Sequence, residues 1–221
     1  MFIGHFGVGF GAKSAERKIS LGTLFLAAQF LDLLWPTFLL LGIETVRIDP
    51  GNTKMTPLDF TSYPFTHSLL MVCIWGLLFG GVFWLFKKNL RGAVVLGFCV
   101  ISHWVLDLFV HRPDLPLYPG NSPMLGFGLW NSVIGSTLLE GLIFGLGVWL
   151  YLRSTAAKNR AGLWGFWGLV GFLVLIHLGN IFGPPPPSVS AIAWAGQLQW
   201  LFVIWAYWVD RNRSPRILQP S

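Results

Sequence analysis

The chain has 221 residues, of which 54% are hydrophobic and only 11% charged, about half the charged share of soluble domains. So few charges cannot cover a water-soluble globule of this size, whereas 12 Trp and 19 Phe suit aromatic belts at two membrane interfaces. The formal charge of +6 comes from basic residues clustered beside apolar segments, a pattern that fits lipid headgroups better than nucleic acid.

The first dozen residues, MFIGHFGVGFGA, are apolar but too short to span a bilayer. They predict an interfacial or re-entrant helix, or a cap on the helix bundle. Lys13, Arg17 and Lys18 follow this stretch instead of preceding it, so it does not read as a signal peptide. Six spans follow, at about 21–41, 66–86, 93–110, 129–152, 163–181 and 192–209, each near the ~20 residues needed to cross about 30 Å of hydrocarbon. Ser20 is placed to cap the first and Pro36 to kink it. The expected fold is all-α, a single polytopic membrane domain over residues 1–221, because the runs are continuous and do not alternate as barrel strands do. Gly141 and Gly145 form a GxxxG spacing that predicts close helix packing inside the bundle. Cys73 and Cys99 sit singly in apolar runs and read as small core residues.

Of the 15 Lys and Arg, only Arg47, Lys54 and Arg112 fall in one set of loops; the other twelve lie on the opposite side. The positive-inside rule then puts both termini in the cytoplasm of a cell carrying this protein in its inner membrane. The outer loops are about 43–64, 111–128 and the Pro-rich turn at 183–187.

Six ionisable residues interrupt these apolar segments: Asp32, His103, Asp107, His111, Glu140 and His177. Insertion of an Asp, Lys or Arg at mid-membrane costs roughly 2.5–3.5 kcal/mol, so such residues mark candidate sites. Counting at 1.5 Å per residue puts Asp32 and His103 roughly 18 Å from the cytoplasmic helix ends, with Glu140 and His177 roughly 20 Å deep. His103, Asp107 and His111, four residues apart, form a slanted stripe on one helix face. A His and a carboxylate at that spacing suit either a shared metal ion or a set of mutual hydrogen bonds. Glu140 is a functional group or a partner for a helix end, His177 with Asn180 a polar pair, and His67 a residue at the start of the second span.

Four pieces taken together resemble a known family. They are Ile3-Gly4-His5, Leu31-Asp32-Leu33, Thr66-His67-Ser68 and Ser102-His103-Trp104-Val105-Leu106-Asp107, followed by Pro113, Pro116 and Pro119. Their order over about residues 1–120 is similar to that of the YdjM/YbcI-like predicted membrane-bound metal-dependent hydrolases. The resemblance implies a polar site built from His5, Asp32, His67, His103 and Asp107, with His111 and Asp114 able to stand in as compensating ligands; Glu140 is a further candidate from its place in an apolar span alone. In that site His67, His103, Asp107 and His5 would ligate a divalent metal, with zinc ahead of manganese or iron, and Asp32 and Asp107 would serve catalysis. A lipid-like ester or phosphodiester is the implied substrate. The chain departs from the family pattern in two places. Its acidic patch keeps only Asp32, and Ser62-Tyr63-Pro64-Phe65 stands where His-Arg-Gly is usual. The other function class open to the sequence is a non-catalytic transporter or an accessory subunit with a membrane-protein partner. Loop charges put His5 on the cytoplasmic side and His67 and His111 on the outer side. They can meet only if residues 1–12 re-enter the bundle or the first helix is displaced.

Overall fold

The computed structural model describes residues 1–216; residues 217–221 of the expected single domain lie outside the described residues. Among the described residues ten α-helices run in chain order: α1 (Ile3–Ala15), α2 (Leu21–Ala28), α3 (Phe30–Leu40), α4 (Pro64–His67), α5 (Leu69–Lys87), α6 (Leu90–Val110), α7 (Val133–Ser154), α8 (Arg160–Phe182), α9 (Val189–Gln197) and α10 (Gln199–Arg211). Five of the segments they form are long and apolar enough to cross a membrane, namely α5, α6, α7, α8 and the α9–α10 stretch. The pair α2 and α3 makes a sixth if its bent path is one span. The protein is a helical membrane protein.

Local sequence explains where most of these helices begin. Ser20, Ser68, Asn89, Ser132, Asn159 and Ser188 each accept a hydrogen bond from a backbone N–H in the first turn of the helix that follows. Each thereby satisfies a donor with no partner inside the helix. Helix α1 has no such side chain at Phe2. Its cap comes from another helix: the Glu140 carboxylate on α7 accepts from the Phe2 N–H at 2.7 Å and the Gly4 N–H at 3.4 Å.

That cap fixes where the N-terminal segment goes. Helix α1 lies inside the bundle along α7 and also touches α2 and α6, so of the expected alternatives the re-entrant one matches. Phe6 and Phe10 have no exposed surface, and they pack edge-on against Phe25 and join one core cluster with Phe144, Tyr151 and Phe166. The two helices approach closely because Gly7 faces α7: a methyl group there would lie 2.7 Å from the Ile143 carbonyl oxygen. Gly147 answers it from α7, where a methyl group would run into the Gly7 carbonyl. At the other end Lys13 is buried, donating to the Ile19 carbonyl at 2.7 Å and to Asp210 at 2.9 Å.

Two expectations are corrected. The first span does not kink at Pro36; it breaks at Gln29, where α2 and α3 meet at 56°. Pro36 sits within α3, and because it has no N–H the Asp32 carbonyl lacks its helical partner. Gln199 on α10 donates to that carbonyl at 3.4 Å instead. The close-packing glycines are also different ones. Nothing lies within 4 Å of where a methyl group at Gly141 or Gly145 would stand, so those two face away from the bundle.

Short hairpins close one end. Strands β1 (Thr45–Ile48) and β2 (Leu58–Ser62) pair antiparallel with Arg47 opposite Asp59 and an irregularity between Thr45 and Arg47. Strands β3 (Leu115–Pro116) and β4 (Met124–Leu125) pair behind them. Arg112 ties these loops together through Asp59, Asn52 and Asp114. At the opposite, basic end β5 (Thr155–Ala157) pairs with β6 (Arg213–Pro215).

Candidate metal centre

Four separate elements deliver imidazoles and carboxylates to one buried place. Helix α6 brings His103, Asp107 and, at its C-cap, His111; α4 brings His67; α3 brings Asp32; α1 brings His5. His67 is thus not part of the long α5 helix. It ends a separate turn that Ser68 divides from α5 by taking an extended conformation. His5, His67, His103, Asp107 and His111 are all buried, while the Asp32 side chain keeps 22% of its surface exposed.

The two oxygens of Asp107 face different partners. Oδ1 accepts from the Met1 α-amino group at 2.6 Å and stands 3.1 Å from His5 Nε2. Oδ2 faces Nε2 of His103 at 3.4 Å, of His67 at 3.9 Å and of His111 at 4.0 Å. Asp32 Oδ1 stands 3.5 Å from Nε2 of both His67 and His103. Two ligand-like triads result, His5–His103–Asp107 and Asp32–His67–His103, their donor atoms within 4.8 Å of one another. Both can hold a metal ion. The His5 and His103 rings lie face to face, 3.6 Å between centroids and 7° apart in plane.

Which nitrogen carries the proton follows from the outer partners. His103 Nδ1 lies 2.9 Å from the Ala28 carbonyl oxygen; a carbonyl only accepts, so Nδ1 is the N–H and Nε2 keeps its lone pair. That carbonyl is available because the helix breaks at Gln29. His67 Nδ1 lies 2.7 Å from the Thr66 hydroxyl. Thr66 gives its one proton to Glu44 Oε2 at 2.7 Å, so its oxygen must accept from His67, and again Nε2 is left bare. His111 Nδ1 meets Asp114 Oδ1 at 2.9 Å, with the same result. An outer oxygen that fixes ring and tautomer is the arrangement found behind metal-ligating histidines. His103 Nε2 is buried without a hydrogen-bond partner, which leaves a lone pair directed at the carboxylates.

The outer shell is itself held. Glu44, buried at the end of the loop after α3, also accepts from the Phe65 and Thr66 N–H groups, each at 2.8 Å. Tyr63 donates to Asp114 Oδ1 at 3.1 Å. Burial, reinforced by the charge of Asp114, pushes the Tyr63 hydroxyl well above its usual range, so it remains a donor. Phe60 on β2 covers this end, tilted against Tyr63 and His111 with ring centroids 5.2 and 5.0 Å away.

The structure therefore brings together His5, Asp32, His67, His103, Asp107 and His111, with Asp114 behind His111. It does not bring in Glu140, which caps α1, or His177, whose Nε2 is buried alone. Glu44 escaped the sequence reading because it sits in a loop. Its only trace there is the Thr66-His67 pair, a hydroxyl beside an imidazole that calls for an acceptor behind it.

A family described as YdjM inner membrane protein matches residues 62–181, 120 of the 221. The matched segment holds Thr66-His67-Ser68 and the His103–Asp107 pair, and leaves His5 and Asp32 before its start. No curated protein and no solved structure matches the chain.

Proposed function

The chain belongs to the YdjM inner membrane protein family, and from that premise we propose that it is a metal-dependent hydrolase acting on a lipid-like or otherwise membrane-accessible ester or phosphodiester. The observation that carries this reading is the spacing of the four innermost donors. His67 Nε2, His103 Nε2, Asp32 Oδ1 and Asp107 Oδ2 stand 3.4–3.9 Å apart where measured across histidine–carboxylate pairs. Ligands about 2.0–2.2 Å from a tetrahedral centre stand roughly 3.3–3.6 Å apart, a range that the Asp32–His67, Asp32–His103 and His103–Asp107 distances meet and the 3.9 Å from His67 to Asp107 exceeds. Asp32, His67 and His103 would hold the ion, with Asp107 facing the two histidines and its own triad with His5 and His103 beside it. The histidine-rich donor set favours zinc, with manganese or iron next.

When bound, the ion supplies Lewis-acid polarisation of a substrate oxygen. The chain's own residues do the rest. Asp32 has one oxygen turned to the histidines and is the most exposed member of the set, so its second oxygen is placed to take a proton from an entering water. The same group returns that proton to the leaving alcohol as the ester bond breaks. His111, oriented by Asp114 and Tyr63, and the Phe60 cover keep bulk water out from the outer-loop side. A centre buried among apolar helices suits a lipid-like substrate. In the orientation we assign, both termini and the twelve-residue basic set face the cytoplasm.

One observation favours a second reading. Asp107 Oδ1 is already engaged by the Met1 amine and His5, as in a buried charge cluster of a transporter or accessory subunit that binds a proton or ion without hydrolysis.

Elemental analysis separates the two. Protein purified and exposed to zinc, manganese or iron should retain about one ion per chain, and His103→Ala should retain none while staying folded. Equal retention by both proteins, or none by either, rejects the metal centre and leaves the second reading.

A further inference from the structure

Beyond the His/Asp centre, about 15 Å along α1 from His5 by helical rise, a cavity of about 1300 Å³ opens at the basic end of the bundle. Among the described residues, Arg17, Lys18, Lys87, Lys88 and Arg91 line it against one carboxylate, Glu16. Glu16 is committed already: it accepts from the Lys18 N–H at 3.2 Å and lies 3.8 Å from Arg91 Nε. Among the described residues no carboxylate stands within ion-pair distance of Arg17, Lys18, Lys87 or Lys88. Arg17 turns its guanidinium to the Arg216 carbonyl, and Lys88 lies over the Trp84 ring at 5.1 Å.

The turn that gathers these cations carries a cost. Only Lys88 and Asn89 separate α5 from α6, and Lys88 takes a left-handed conformation with φ of 52°. Glycine or asparagine suits that helix-ending position better. A lysine there keeps a third basic side chain beside Lys87 and Arg91 at the cavity mouth. The opposite wall is made of hydroxyls: Ser20 meets Thr23 at 2.8 Å, and Thr23 meets Tyr207 at 2.9 Å. Phe83 supplies an apolar side. The cavity sits at the last residues of one long apolar helix and the first of the next, the level at which lipid headgroups lie.

We propose that this cavity binds a phosphate ester, carried by an anionic lipid headgroup, with Lys87, Lys88 and Arg91 as its cationic clamp and the one proton left over in the Ser20–Thr23–Tyr207 hydroxyl chain as a donor to its oxygens. This site is separate from the His/Asp centre and does not depend on what that centre does.

The test is native mass spectrometry of the detergent-solubilised, metal-free chain titrated with phosphatidylglycerol or phosphatidylcholine. Phosphatidylglycerol should form a one-lipid adduct at concentrations where phosphatidylcholine does not. Each basic residue near an anionic surface contributes about fivefold, so the triple variant Lys87→Gln, Lys88→Asn, Arg91→Gln should bind roughly a hundredfold more weakly. Asparagine is used at Lys88 because it tolerates the left-handed turn. An equal charge change at Arg153, Lys158 and Arg160, on the same end but outside the cavity, should leave binding unaltered. Excess glycerol phosphate that displaces the adduct would assign the phosphate to a soluble ester; retention assigns it to the lipid. Equal adducts with both lipids, or equal losses in the two triple variants, overturn the proposal. Should the cavity triple not fold, Lys87→Gln alone, at an exposed helix end, must still lower binding about fivefold. None of these outcomes bears on metal retention.

Discussion

Asp107 on α6 and Glu140 on α7 are both buried carboxylates in apolar helices, and both face the start of α1. They do different things there. Glu140 gives one oxygen to the backbone N–H groups of Phe2 and Gly4, and completes a helix. Asp107 turns one oxygen to three imidazole nitrogens that other residues have stripped of their protons. The histidines near each differ in the same way. His67, His103 and His111 each have Nδ1 held by an oxygen, whereas His177 has Nε2 buried without a hydrogen-bond partner and the Phe2 ring parallel to its own, 6.5 Å away. A buried ionisable residue is therefore no evidence of chemistry by itself. What separates a candidate ligand from a structural group is the partner on its far side.

The sharpest way to break this contrast is at Glu140. Removing its carboxylate by Glu140→Ala leaves two backbone donors at the α1 terminus without a partner and takes a negative charge from the positive end of the helix. Each buried donor left unsatisfied costs about 1–3 kcal/mol, so chemical denaturation in detergent should report a loss of roughly 2–6 kcal/mol. Glu140→Gln should recover part of it, because an amide oxygen still accepts. If Glu140→Ala unfolds at the same denaturant concentration as the parent, Glu140 is not what holds α1 in place.

The sequence carried the long helices well, since α5 through α8 each lie within three or four residues of the spans read from hydropathy. The spacing that puts His103 and Asp107 on one face of α6 matches their approach at 3.4 Å, and that these residues form a working site with His67 is our proposal. Three things were hidden, each for a physical reason. Helix α1 is as apolar as a span but short, and its path depends on Glu140, 136 residues from Gly4. The break at Gln29 has no local breaker; Pro36 drew attention because it lacks an N–H, yet it lies inside α3, where Gln199 makes good the free carbonyl. The GxxxG pair looked like a packing face, but which glycines meet a neighbour is decided by the helix's rotation in the bundle, and Gly147 is the one that faces α1.

The intermediate effect lies on the Asp107 side. Thr66→Val keeps the branched shape but removes the oxygen that takes the His67 Nδ1 proton and passes its own to Glu44. Loss of an outer-shell partner of this kind costs about 10- to 100-fold in metal affinity. Competition against a chelator should show that weakening, while Thr66→Ser, which retains the hydroxyl, stays close to the parent. An affinity unchanged in Thr66→Val would mean that the fixed tautomer is not what distinguishes His67 from His177.

The smallest effect belongs to His177 itself. Its Nε2 is buried with no hydrogen-bond partner, and its ring is stacked on Phe2. His177→Phe keeps an aromatic ring in that stack and removes a polar atom whose burial is unfavourable without a partner. A fully buried polar atom lost in this way costs nothing and can stabilise by about 1 kcal/mol, so the denaturation midpoint should stay level or rise slightly. Metal retention should match the parent, in contrast to the complete loss expected of His103→Ala. The two substitutions remove the same residue type at similar depth, so any difference between them reports the surroundings and not the chemistry of histidine. A drop in metal content with His177→Phe would extend the centre to α8 and erase the distinction between the Asp107 and Glu140 sides.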